Sequence, residues 1–110
     1  MKKLVCIRTQ FTATHNWTNA PIGDPVNNFL RFPHRHIFHV ELKVEVTDND
    51  REVEFFDLKD QVDRYILLHY SNLHLENVSC EMIAEKLLTT YDADFVSVYE
   101  DNENGCEISK

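Results

Sequence analysis

The chain has 110 residues, 43% of them hydrophobic, which suits one domain on one core and argues against disorder. Lys+Arg 11 against Asp+Glu 19 leaves a net charge of −8, which excludes a general nucleic-acid binder, because that needs a basic face. No apolar run approaches the roughly 20 residues of a membrane span. The apolar stretch after Met1-Lys2-Lys3 is too short for a signal peptide. Cys6, Cys80 and Cys106 form no C-x-x-C pair, which points to free thiols and a reducing, cytoplasmic setting.

Residues 3–15 alternate with period two, which predicts a strand. Val5, Ile7, Phe11, Ala13 and His15 share one face with Thr9. Residues 16–33 are rich in Asn, Asp, Pro and Gly and hold all three prolines, Pro21, Pro25 and Pro33. They predict a loop whose length in a small domain suggests function. Residues 34–47 alternate again, with His34, His36, Phe38, Val40, Leu42, Val44 and Val46 on one face. Thr47 to Asp50 reads as a turn, and Arg51 to Glu54 as a short strand or an approach to a helix. Phe55, Leu58, Val62, Tyr65, Ile66 and His69 recur at helical spacing. Glu54 and Asp57 suit the positive end of that helix. Ser79 or Asn77 caps a second helix, with Met82, Ile83, Leu87 and Leu88 on its apolar side. Val96, Val98 and Glu100 share one face of a third strand. Asn104-Gly105 is a hairpin signal, leading to a last strand from Cys106 to Ser109. The order is β-β-α-α-β-β in an α+β domain spanning residues 1–110.

Three histidines stand out in that order. His15 ends the first strand and His34 begins the second, so antiparallel pairing brings them together. His36 lies two residues on, on the same face. An H-x-H pair occurs often without a metal, and a third histidine of matching parity raises its weight. Three imidazoles would leave a tetrahedral Zn²⁺ one open position, the catalytic rather than the structural pattern. His39 has the opposite parity and reads as exposed or interfacial, and His74 reads as a solvated loop residue. Glu100 extends a core face, so its carboxylate is expected to be half-buried, with a shifted pKa. His69 reads as a packed helix-end histidine, or more weakly as a general acid or base.

Those residues, taken together, resemble the 6-pyruvoyltetrahydropterin synthase / 6-carboxytetrahydropterin synthase family, including its queuosine-pathway members, which has the tunnelling fold or T-fold. Phe11-Thr12-Ala13-Thr14-His15 is similar to the family's F-x-A-x-H. His34-Arg35-His36 is similar to its H-G-H, and Val53 to Lys59 to its V-x-D-F-x-x-L-K. Leu75 to Glu81 is similar to L-E-N-P-T-x-E, and Val98-Tyr99-Glu100 to the strand-end V-x-E. The matches run in family order over nearly the whole chain. The resemblance implies Zn²⁺ on His15, His34 and His36, and a pterin such as dihydroneopterin triphosphate anchored by Glu100. It places Ser79 and Cys80 near that ligand. It also implies a lyase, and trimers or hexamers with sites between subunits.

Three positions depart from the pattern. Leu30 stands where the family keeps a basic cysteine, four residues before His34. The family's Asp-His pair falls on Leu67 and Leu68, and His69 substitutes only if the register shifts by one. Arg35 replaces a glycine, which would crowd the metal or add a positive group. The alternatives are therefore a lyase with altered acid/base residues, a relative acting on another pterin, purine or deazapurine, and a non-catalytic zinc-containing oligomer that binds such a ligand or a protein.

Overall fold

A computed structural model describes residues 1–110. The elements are β1 (Lys3–His15), β2 (His34–Val46), α1 (Phe55–His69), α2 (Cys80–Thr90), β3 (Phe95–Glu100) and β4 (Asn104–Ser109), with one short 3-10 turn at Asn28–Arg31 inside the loop between β1 and β2. The sheet runs β1-β2-β3-β4, and every pair is antiparallel. Both helices cover one face, α1 over β1 and α2 over β3 and β4.

The alternating residues of β1 and β2 behave as their parity demands. Ile7, Phe11, Ala13 and His15 are buried on β1, and Phe38, Val40 and Leu42 on β2. Val62 and Ile66 of α1, and Ile83, Ala84 and Leu87 of α2, close the core above them. Thr9, the polar member of the β1 face, donates its hydroxyl to Asp63 of α1 at 2.5 Å. Glu54 and Ser79 cap the helices, accepting from Phe56 N at 3.1 Å and Met82 N at 3.2 Å. Arg51 to Glu54 forms no strand and only approaches α1. Phe55 and Met82, expected on the apolar sides of their helices, are 51% and 57% exposed. Phe55 stands in the first turn of α1, before the helix settles on the sheet. Met82 lies off the Cys80, Ile83, Ala84, Leu87 stripe, whose i, i+3, i+4, i+7 spacing marks the buried face.

The last hairpin turns earlier than its sequence suggests. Its turn is Glu100 to Glu103, closed by Glu103 N donating to Glu100 O at 2.9 Å. Asp101 and Asn102 have φ of 54° and 59°. Asp and Asn tolerate the left-handed region well enough to form the centre of this three-residue connection without glycine. Asn104 and Gly105 instead lie in β4, and Gly105 opposes Tyr99. A β-carbon at Gly105 would collide with the Val98 carbonyl oxygen and the Tyr99 backbone. The Gly105→Ala variant is therefore expected to lose about 1–3 kcal/mol of stability, the usual range for forced overpacking, measured by urea unfolding.

Register and one loop build the site. His15 pairs with His34 and Ala13 with His36. Phe38 pairs with Glu100. The segment 72–76 lies along the outer edge of β1, with Asn72 N on Thr12 O at 2.7 Å, Leu75 N on Thr14 O at 2.8 Å and Asn16 N on Glu76 O at 2.8 Å. That docking carries Asn77 to Cys80, and the start of α2, alongside His15.

Candidate metal centre

His15, His34 and His36 meet at the end of the core face, one layer beyond Phe38. Their ring centroids are 4.6, 5.2 and 4.9 Å apart for the pairs 15–34, 15–36 and 34–36. One ligating nitrogen from each lies within 4.8 Å of the others. Ala13, opposite His36, is small enough to leave the rings this room.

The other ring nitrogens are already committed. Nδ1 of His15 is 2.8 Å from Val78 O, and Nδ1 of His34 is 2.8 Å from Phe32 O. A backbone carbonyl only accepts, so both Nδ1 atoms carry hydrogen and donate it. Nδ1 of His36 is 2.7 Å from Asp101 Oδ2 and donates likewise. In the neutral rings, all three Nε2 atoms then present lone pairs inward. Nε2 of His15 and Nε2 of His34 are buried and make no hydrogen bond. Buried polar atoms are rarely left so. Such second-site partners for ligating imidazoles are the usual support of a metal centre. The donor set fits a single divalent ion.

Glu100 adds a negative charge to this cluster. Its Oε2 lies 2.9 Å from His15 Nε2 and 3.4 Å from His36 Nε2. The shorter distance is within ion-pair reach, and Nε2 of His15 has no other partner. The charge is felt. Glu100 holds the His15 pKa above its ordinary value, against desolvation, and His15 in turn lowers that of Glu100. Burial lowers the pKa of His34.

In the metal-free protein these shifts carry a signed consequence. The His15 contribution is complete below 6.5 and is lost as pH rises through the raised value. The Glu100 contribution is complete above 4.5 and is lost as pH falls through the lowered value. The stability difference between the metal-free wild type and Glu100→Gln is thus expected to be largest between pH 4.5 and 6.5 and to shrink on both sides. Urea midpoints measured across that range check it.

Asp101 is a site residue that the sequence reading missed. One carboxylate oxygen takes His36 Nδ1, and the other accepts from Ile37 N at 2.9 Å. Its pKa is lowered first by that backbone donor and then by His36. The signal was available: an acid directly after Glu100, in a chain turn that favours Asp. Asn offers one acceptor where Asp offers two. Asp101→Asn is therefore expected to weaken metal binding about 10–100-fold, the usual cost of losing such a partner, measured by chelator competition.

A cavity of about 560 Å³ opens beside the cluster, lined by His15, His34 and Glu100 together with Trp17, Leu30, Asn77, Ser79, Cys80, Glu81 and Met82. The three histidines, Glu100, Ser79 and Cys80 thus come together as expected. His69 does not join them within the chain: it is exposed at the end of α1, its ring 4.2 Å from that of Tyr65. Its residue spacing placed it on the apolar side, but the buried stripe of α1 runs Leu58, Val62, Ile66 and on to Tyr70, and His69 falls beside it. Leu67 and Leu68 are exposed beside it, at 69% and 74%. Arg35 pairs with Thr14 on the opposite face from His34 and His36, so it does not crowd the cluster. His39 shares that opposite face, and exposed His74 bonds Thr14 Oγ1 at 2.8 Å. Cys80 is buried, and its thiol is pushed up to about 12, first by burial and then by Glu100. It is not a thiolate at neutral pH.

No family model matches the sequence, and neither does any curated protein. Solved structures do match the fold. A 6-pyruvoyl tetrahydropterin synthase from Caenorhabditis elegans superposes with a TM-score of 0.69 at 16% identity, over 100% of this chain and 96% of that one. The chain has the tetrahydropterin synthase fold. An uncharacterised protein from Wolinella succinogenes superposes with a TM-score of 0.76 at 11% identity, over 100% of this chain and 99% of that one. The fold is thus matched over all of this chain and over 96% or more of each of those chains. No helix is long and apolar enough to cross a membrane.

Proposed function

We propose that the chain is a zinc-dependent protein of the tetrahydropterin synthase type, acting on a pterin such as dihydroneopterin triphosphate. The observation that carries this reading is the convergence of three inward Nε2 atoms, two of them buried and unpaired, beside a cavity in a T-fold. His15, His34 and His36 would hold the ion. Bound zinc supplies a Lewis acid that polarises a substrate oxygen and acidifies neighbouring protons. Glu100 faces the cavity as an acceptor for the amino and N–H donors of a heterocycle, and Ser79 and Cys80 line the wall next to it. The exposed Phe55, Phe56, Leu67 and Leu68, with free edges on β4 and most of β1, support a homo-oligomer in which sites lie near subunit contacts.

A second reading has its own support. Leu30 stands in the cavity wall where the resembled enzymes keep a base, and Cys80 is held as a neutral thiol. The residues lining the cavity include no Lys or Arg to meet a triphosphate. These features favour a non-catalytic zinc-containing module that binds a pterin, purine or deazapurine. General acid/base groups contribute on the order of 10²–10⁴-fold in rate, so their loss would leave binding without turnover.

Zinc analysis of the purified protein, followed by incubation with dihydroneopterin triphosphate, tests both. Loss of the triphosphate or the side chain supports the enzyme. Binding without product supports the module. Absence of zinc removes both readings.

A further inference from the structure

We propose that Glu100 is a fourth metal ligand in the ligand-free protein, closing the position that three histidines alone leave open. The inference rests on the metal reading above and changes what the centre does at rest. The carboxylate would have to be displaced before an incoming molecule could reach the ion.

The argument is geometric. In a tetrahedral site with ligand bonds near 2.0–2.1 Å, neighbouring ligand atoms lie about 3.3–3.4 Å apart. Glu100 Oε2 stands 2.9 and 3.4 Å from two of the Nε2 atoms. Those two distances bracket the spacing of atoms sharing one ion, while His34 stands beyond ion-pair reach of the carboxylate and would have to move toward it. The oxygen stands 2.9 Å from His15 Nε2, a buried nitrogen with no other partner, where an ion between them would be in reach of both.

Tautomers point the same way. Val78 O, Phe32 O and Asp101 take the three Nδ1 hydrogens, so the carboxylate faces lone pairs of the neutral rings rather than donors. Apart from the histidine rings, no N–H or O–H of the chain reaches the Glu100 carboxylate, although its side chain is only 27% exposed. A half-buried carboxylate beside these rings needs a cation, which a proton on His15 supplies in the metal-free protein and a bound ion would supply in its place. An ion held by the three rings would lie within reach of this carboxylate once His34 closes in on it. The register delivers Glu100 there: it opposes Phe38, one step along the same face from His36.

Cobalt(II), whose visible absorption reports its ligand set, is the probe. Wild type loaded with cobalt is expected to give a spectrum that added acetate does not change, because the fourth position is filled. Glu100→Ala is expected to bind cobalt about 100-fold more weakly or worse, beyond the loss of an outer partner. Its spectrum is expected to differ from wild type and to return toward it when acetate is added. Glu100→Gln is expected to show the same weakening without the return. Circular dichroism and thermal unfolding of the metal-free variants confirm that each is folded. A wild-type spectrum that shifts with acetate, or variants that match wild type in spectrum and affinity, would overturn the inference and leave the three-histidine centre standing. Failure of wild type to take up cobalt or zinc would overturn the metal centre itself.

Discussion

His15→Ala is expected to come out of purification with almost no zinc, against near one equivalent for wild type. His15 is the only one of the three imidazoles that β1 provides, and the only one classed as buried. Losing a partner behind a ligand already costs about 10–100-fold in affinity, so loss of the ligand itself is expected to cost at least about 10²-fold. Two histidines on one strand, His34 and His36, cannot hold the ion at that level. The variant also strands the Val78 carbonyl that His15 Nδ1 meets at 2.8 Å. An unsatisfied buried acceptor costs on the order of 1–3 kcal/mol, so a loss of stability is expected even without metal. His39→Ala separates the two effects. It removes a histidine from the same strand as the other ligands but from the opposite face, and zinc is expected to remain near one equivalent. Metal analysis by plasma emission reads both variants. Stoichiometric zinc in His15→Ala would remove the metal reading altogether.

The parts of the molecule that parity and period govern were legible before any coordinates. A strand has only two faces, so once β1 and β2 were recognised, the common face of His15, His34 and His36 followed. Antiparallel pairing of the two consecutive strands then fixed which ends meet. The same logic put Glu100 on the core face of β3. What parity cannot report is depth along the third dimension. His69 matched the helical stripe of α1, but that stripe continues through Ile66 to buried Tyr70, and the His69 ring stands exposed against Tyr65. Phe55 precedes the first buried residue of that stripe, Leu58, and is exposed as well. The hairpin was misplaced because glycine is the strongest turn signal, while Asp101 and Asn102 adopt positive φ without it. That displacement hid Asp101, whose role depends on where the turn falls. The distance between Glu100 and His15 was also invisible, since register between β2 and β3 is set across two helices and a loop.

Phe38→Ala is expected to cost about 3–5 kcal/mol in the metal-free protein, among the largest effects of any single substitution outside the metal ligands. Phe38 is fully buried. Its ring stacks on Phe11 with centroids 5.0 Å apart and 12° between planes. It also meets His15 and His36 edge-on, at 5.4 and 5.8 Å. The same ring is therefore the top of the hydrophobic core and the floor of the histidine cluster. Truncating it leaves a cavity directly under two ligands, which frees both imidazoles to tilt. Zinc affinity is expected to fall together with stability, although Phe38 carries no ligating atom. Phe38→Leu, which keeps most of the volume, is expected to recover the larger part of both. Urea unfolding of metal-free samples gives the stability term, and chelator competition gives the affinity term. Because Phe38 touches His15, Phe38→Ala combined with His15→Ala is expected to cost less than the sum of the two. Strict additivity would mean that the core and the centre are independent, and that packing does not hold the ligands in place.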